Sequence, residues 1–367
     1  GGVTRIIQYQ INSITNISHN NEIKVIAGYC PNPEYYKNSS VKLIINKEID
    51  YLNIKNTSKS HLDKLSNSLQ QFLASTINKD DIIHFHNLNL GKNPVLTHEI
   101  YNLANEGYKV LNHCHDFAED RDQNWKFLKS IIEGVFGKEL QAVLYPDLNN
   151  YLYAALNSFD LGRLTKYDID KRRRFLLPNP VDLSTKHENI DKKQIKSKIC
   201  NELKLDPSKI LCTYPVRVIR RKNIGEYILL AVLFSDKAHW LVTQPPKNPV
   251  EIKDYKKWKA FCSENNNPVY FEAGTKVNFE ELIYASDFCI TTSIREGFGM
   301  SYMEPWLMDT PVVGRNIDYI TKDLTEAGIK FPFLYNEIQV KTGSEIKDFK
   351  DLSLNQQMLI IHNIHTN

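Results

Sequence analysis

The feature that most constrains this chain is an alternation of short, almost wholly apolar runs with longer segments of helical period. In the first half, IKVIAGYC (23–30), VKLIIN (41–46), DIIHFHN (81–87) and YKVLNHCHD (108–116) read as strands. Between them, HLDKLSNSLQQFLASTI (61–77) places Leu62, Leu65, Leu69, Phe72, Leu73 and Ile77 on one helical face. Ser60, with Asp63 three residues on, is the expected start of that helix. NPVLTHEIYNLANEG (93–107) is bracketed by Asn93 as cap, Pro94 at the first helical position and Gly107 past the end. The second half repeats the pattern. KILCTYPVR (209–217), HWLVTQ (239–244), PVYFEAG (268–274), DFCITTS (287–293) and TPVVGR (310–315) read as strands. GEYILLAVLF (225–234) and NFEELIYAS (278–286) read as helices, the latter with Asn278 and Glu281 as a capping pair. Strands that are apolar throughout have both faces buried, which predicts parallel sheets covered by helices on each side.

At 367 residues the chain suits two domains. The junction is expected near LPNPVDL (177–183), where two prolines favour extended linker geometry. The reading is an N-terminal α/β domain over 1–182, a C-terminal one over 183–345, and a segment 346–367 packing back toward the N-terminal domain. A sheet of this kind needs a strand feeding Gly1-Gly2, so on the order of ten residues are expected upstream. A net charge of +3 and a pI near 8.3 do not make a nucleic-acid footprint. No apolar run reaches membrane-spanning length. Six cysteines without CxxC spacing, several inside apolar strands, read as reduced thiols of a cytoplasmic protein.

In open parallel sheets, ligands bind beyond the carboxyl ends of the strands. REGFGMSYMEPW follows DFCITTS directly and opens a helix, so the main chain of Gly297, Phe298, Gly299, Met300 and Ser301 forms an expected anion site suited to a diphosphate. Glu296 and Glu304 flank it, and a carboxylate accepts hydrogen bonds from sugar hydroxyls. Arg217 ends one strand and Lys222 follows five residues later, two cations placed to flank a phosphate.

These motifs together resemble family 4 of the retaining glycosyltransferases, which have the GT-B fold: two Rossmann-like, doubly wound parallel-sheet domains facing across a cleft. EGFGMSYMEPW followed by PVVG looks like the E-x7-E signature, and PVRVIRRKN is similar to the segment carrying the family's Arg and Lys. Gly1-Gly2-Val3-Thr4-Arg5 resembles its glycine loop, HCHDF the end of an N-domain strand, and LPNPVD its linker strand. Pro180 and Pro305 stand where the family usually has Gly and Ala. The resemblance implies hexose transfer from a UDP-, GDP- or ADP-sugar to a hydroxyl acceptor, which is a small molecule, a glycan or a lipid-linked species. By the same resemblance Glu304 holds the ribose and Glu296 the donor sugar. Arg217 and Lys222 stabilise the leaving diphosphate, His115 lies near the reacting sugar, and Gly2 contacts the donor. It implies no metal and no cofactor beyond the nucleotide sugar.

Other readings compete. A nucleotide-sugar epimerase or a phosphorylase shares such a fold. A metal-dependent hydrolase would use the pairs His84/His86 and His113/His115, since alternate strand residues point the same way. Asp120-Arg121-Asp122 is an Asp-x-Asp, read here as acids at a helix start. Lys171-Arg172-Arg173-Arg174 is read as a solvated basic loop, with a membrane surface or a phosphorylated acceptor as its rival partner. Cys114 is read as a buried strand thiol and not as a nucleophile.

Overall fold

The computed structural model describes residues 2–17, 22–36, 41–52, 57–181 and 191–366. The chain divides into two compact units, Gly1–Pro180 and Val181–Asn367. The junction falls inside the expected LPNPVDL stretch, of which Asp182 and Leu183 lie outside the described residues.

The first unit opens with α1 (Gly2–Ile17). Two strands, β1 (Ile23–Ala27) and β2 (Val41–Ile45), pair in parallel as a small separate sheet. The main sheet is β3 (Ile82–His86), β4 (Lys109–Cys114), β5 (Tyr151–Ala155) and β6 (Arg174–Leu176), neighbours in that order and all parallel. Its helices are α2 (Lys59–Thr76), α3 (Pro94–Asn105), α4 (Asp122–Ile132), α5 (Leu140–Leu144) and α6 (Ser158–Arg163). Leu62, Leu65, Leu69 and Leu73 of α2 are buried against Val95 and Ile100 of α3 and Val110 of β4, as the helical period requires. The cap of α2 corrects the sequence reading. Ser58, not Ser60, accepts from His61 N, so the helix starts earlier. Asn93 does cap α3, accepting from Leu96 N at 3.2 Å, with Pro94 behind it.

The second unit has a six-stranded parallel sheet. Its strands are β7 (Ile210–Arg217), β8 (Ala238–Gln244), β9 (Val269–Tyr270), β10 (Phe288–Thr291), β11 (Val312–Arg315) and β12 (Phe333–Tyr335). A hairpin, β13 (Gln339–Thr342) and β14 (Glu345–Asp348), follows. The helices are α7 (Lys192–Leu203), α8 (Ile224–Leu233), α9 (Pro249–Glu264), α10 (Phe279–Ala285), α11 (Met300–Leu307), α12 (Asp318–Glu326) and α13 (Leu354–Thr366). PVYFEAG yields only a two-residue strand before a 3-10 turn at Ala273–Thr275.

Alternation along the central strands explains why they are apolar throughout. Cys212 and Tyr214 of β7, with Trp240 and Val242 of β8, pack against α8 and α9. Leu211 and Leu241, one residue out of phase, pack against α7 and α10. The segment 346–367 falls within the second unit. Phe349, Leu352 and Ile361 are buried in the same core as Tyr227 and Ile228 of α8, and Gln357 Nε2 donates to Phe349 O at 2.9 Å.

Candidate functional site

The strand order of the second sheet is β12-β11-β10-β7-β8-β9. From β7 the chain builds outward through β8 and β9, then crosses to the other side of β7 for β10. The order therefore reverses between β7 and β10, and in such sheets a ligand crevice opens where their carboxyl ends diverge. The loops leaving these two strands, residues 218–223 and 292–299, carry the motifs singled out above.

Three of those side chains meet. Glu296, 8% exposed, accepts from Lys222 Nζ and from Arg221 Nη1, the latter at 2.9 Å. Ser301 Oγ donates to Glu296 Oε1 at 3.3 Å. Arg221 Nη1 also donates to Arg295 O at 2.7 Å, and Ile294 N donates to Arg221 O at 2.9 Å, stitching the two loops together. Burial pushes the Glu296 carboxyl up. The charges of Lys222 and Arg221 outweigh it and hold Glu296 below the usual carboxylate range. Burial draws the Lys222 ammonium down, opposed chiefly by Glu296, and the charge of Glu304 also reaches it. Lys222 is fixed by its backbone: Tyr214 OH donates to its carbonyl, and Thr292 Oγ1 lies 3.0 Å from the same oxygen.

Arg221 and Tyr319 were missed by the sequence reading. The first sits in a run of like charges, from which spacing alone drew out Arg217 and Lys222. Arg217 is exposed at the end of β7, with Nε 3.5 Å from Gln244 Oε1, and does not join the Glu296 cluster. Tyr319, from α12, braces the loop through one hydroxyl. Its OH accepts from Glu296 N and donates to Glu296 O, both at 2.9 Å. No short motif announces such a contact across 23 residues.

Of the two glycines, Gly299 carries the conformational demand. It is the N-cap of α11 at φ +91°, and a Cβ there would lie 2.4 Å from Ile320 Cγ2. Gly297 has no positive φ. Glu304 is half-buried in α11, and Pro305 is accommodated inside that short helix, which ends two residues later. Phe298 and Met300 are half-buried beside Gly299.

In the first unit, β3 and β4 pair with His86 opposite His113, so His84, His86, His113 and His115 share one face at the carboxyl end of the sheet. His86 Nδ1 and His115 Nε2 are 2.9 Å apart, and His84 Nε2 and His113 Nδ1 3.4 Å. Burial, reinforced by the neighbouring imidazoles, lowers His86 to about 2 and His115 to about 3. Burial lowers His113 to about 4, partly offset by the Leu177 carbonyl. The His115 backbone N–H donates to Asn87 Oδ1 at 2.8 Å. Gly1 lies outside the described residues, and Gly2 opens α1.

The remaining motifs have structural partners. Asp120 accepts a two-pronged contact from Arg163 at 2.9 and 3.0 Å, and Asp122 begins α4. Of the basic run, Arg173 is buried rather than solvated. It donates to Leu148 O at 2.8 Å and to Asp147, while Arg172 pairs with Asp170. Cys114 is fully buried, and burial raises its thiol well above the ordinary value, so it is no thiolate. No helix among the described residues is long and apolar enough to cross a membrane.

No protein-family profile matches the chain. It is similar to the mannosylglucosyl-3-phosphoglycerate synthase of Petrotoga mobilis, 29% identical over 321 residues, which are 84% of this chain and 61% of the relative. The mannosylglucosylglycerate synthase of the same organism is 23% identical, over 78% of this chain and 70% of its own. The chain thus spans about three fifths of the length of the first of these relatives. Among solved structures, Anabaena Alr3699/HepE in complex with UDP-glucose superposes with a TM-score of 0.63 at 14% identity, covering 100% of this chain and 90% of that one. WaaG, a glycosyltransferase involved in lipopolysaccharide biosynthesis, superposes with a TM-score of 0.60 at 15% identity, covering 100% and 88%. With two parallel-sheet α/β units in sequence and these neighbours along its whole length, the chain has the GT-B fold.

Proposed function

We propose that this chain is a retaining glycosyltransferase that moves a hexose from a nucleotide-diphosphate sugar to a hydroxyl acceptor. The observation that carries the reading is the Lys222–Glu296–Arg221 cluster at the β7/β10 reversal, beside the start of α11. A diphosphate leaving group needs positive charge that is in place before the bond breaks, because preorganised charge costs no reorganisation in the transition state. Lys222, held by its carbonyl and by Glu296, supplies it. Arg221 and the exposed Arg217 add a planar fork each. The N–H groups at the start of α11 add a fixed partial charge.

On this reading Glu304 binds the ribose, Glu296 trades part of its cation contact for a hydroxyl of the transferred sugar, and His115 lies near that sugar. The leaving phosphate itself takes the acceptor proton, so attack occurs on the face it vacates. The curated relatives are named for glycosylated 3-phosphoglycerate and glycerate products, so acceptors of that acidic kind head the panel for this chain.

The test is release of nucleoside diphosphate from UDP-, GDP- and ADP-sugars, with and without glucosyl-3-phosphoglycerate, glucosylglycerate and neutral sugars. Acceptor-dependent release with retained anomeric configuration is the expected result. Since cations of the chain neutralise the diphosphate, added magnesium or manganese is expected to leave the rate unchanged. Release that ignores every acceptor, or a product of inverted configuration, would overturn the reading.

A further inference from the structure

We propose that His84, His86 and His113 form a binding site for one zinc-class divalent cation in the first unit. Each offers a ring nitrogen, and the three ligand atoms lie within 4.8 Å of one another. Neither the nucleotide-sugar chemistry proposed above nor the comparisons assign these side chains a role, and the inference does not depend on that chemistry.

One pair of the three already stands at the spacing of metal ligands. Ligand nitrogens around a tetrahedral zinc, at about 2.0–2.1 Å from the metal, stand roughly 3.3 Å apart. His84 Nε2 and His113 Nδ1 are already 3.4 Å apart. At that distance they make only a weak hydrogen bond. The outer contact is equally informative. His113 Nε2 lies 3.0 Å from Leu177 O, an oxygen that only accepts, so this nitrogen carries the proton. Nδ1 is then left with its lone pair facing His84. A backbone carbonyl fixing the tautomer and orientation of an imidazole is the usual support of a metal-bound histidine. His113 is fully buried, while His84 and His86 are half-buried, so the cluster keeps an approach from solvent.

The donor set selects the ion. Three neutral imidazoles without a carboxylate suit zinc, cobalt, nickel or copper and not the oxygen-seeking magnesium or calcium. Three protein ligands leave a fourth tetrahedral position for water or an oxygen of a bound molecule. Next to it, His115 is tied to His86 by the 2.9 Å contact between their rings.

The test uses the untagged full chain stripped with a chelator and titrated with cobalt(II). The expected result is one cobalt per chain, with the visible absorption bands of a tetrahedral centre, displaced by one equivalent of zinc. Removing an outer-shell partner of a metal site weakens binding about 10- to 100-fold, so loss of a ligand should do at least as much. His84→Asn, on the half-buried side, and His113→Gln are each expected to lose the bands. The exposed His61→Asn is expected to keep them. Absence of tetrahedral bands in the parent protein would overturn the site and leave a stack of neutral imidazoles. Binding that survives unchanged in folded His84→Asn would overturn it too. Because the readout is a spectrum and not turnover, failure here is separate from failure of the proposed transfer reaction.

Discussion

A carboxylate taken out of water costs several kcal/mol unless it is paired, and Glu296 is paired twice, with Lys222 and Arg221. Its native pKa lies below the unfolded value of 4.5. The stabilisation is therefore present above about pH 4.5 and is lost as pH falls through the lower native value. The melting temperature of Glu296→Gln is expected to lie below that of the parent at neutral pH, and the gap to close as pH drops under about 4.5. A gap independent of pH would mean that Glu296 is not ionised in the native protein. Gln is preferable to Ala here, because it removes the charge while keeping the side-chain volume and an oxygen that can still accept from Lys222. Glu304 should behave differently. If it grips ribose hydroxyls alike in ground and transition states, Glu304→Ala is expected to raise the donor KM about tenfold or more, the worth of a hydrogen bond to a charged group, with kcat little changed. Steady-state kinetics on Glu304→Ala and Glu296→Gln, the latter expected to lower mainly kcat, would separate the two roles.

At the scale of elements, the α11 turn rests on Gly299. Gly299→Ala must place a Cβ 2.4 Å from Ile320 Cγ2 on a backbone at φ +91°. A loss of at least about 1–3 kcal/mol is expected from denaturant titration. Gly-Phe-Gly does not by itself say which φ is positive, and the structure puts it at Gly299. The helix caps read from the sequence divide in the same way. Asn93 before Pro94 and Asn278 before Glu281 were legible because a second residue confirms each. The α2 start was misplaced because Ser58-Lys59-Ser60 offers two serines, and apolar period does not distinguish them. Although β5, whose YLYAA holds no β-branched residue, and the three-residue β12 went unread, most strands of both sheets were legible from composition. Arg221 and Tyr319 were not, because which cation of RVIRRKN turns inward is decided by the 3-10 turn at Arg220–Lys222 and by a contact from a different helix.

Across the second unit, one buried charge cluster joins elements far apart in sequence. Arg315 donates to Glu226 at 3.0 and 2.6 Å and to Asp348 at 2.7 Å on each prong, while Tyr335 OH and Asn223 Nδ2 add 2.6 and 2.9 Å contacts to Glu226. Asn223 directly follows Lys222, so this cluster also seats the cation loop of the candidate site. Glu226→Ala strips Arg315 of half its anionic partners and is expected to destabilise the unit by about 3–5 kcal/mol, read from its unfolding transition. Arg315 is 2% exposed and Glu226 fully buried, whereas Arg217 and Arg221 face solvent. Mobile ions reach the second pair and not the first. Raising sodium chloride from about 0.1 M to about 1 M shortens the screening length from roughly 10 to 3 Å. That change is expected to weaken capture of a nucleotide diphosphate while leaving the unfolding temperature of the second unit almost where it was. Ionic strength thus becomes a dial that turns down substrate attraction without loosening the frame that receives it.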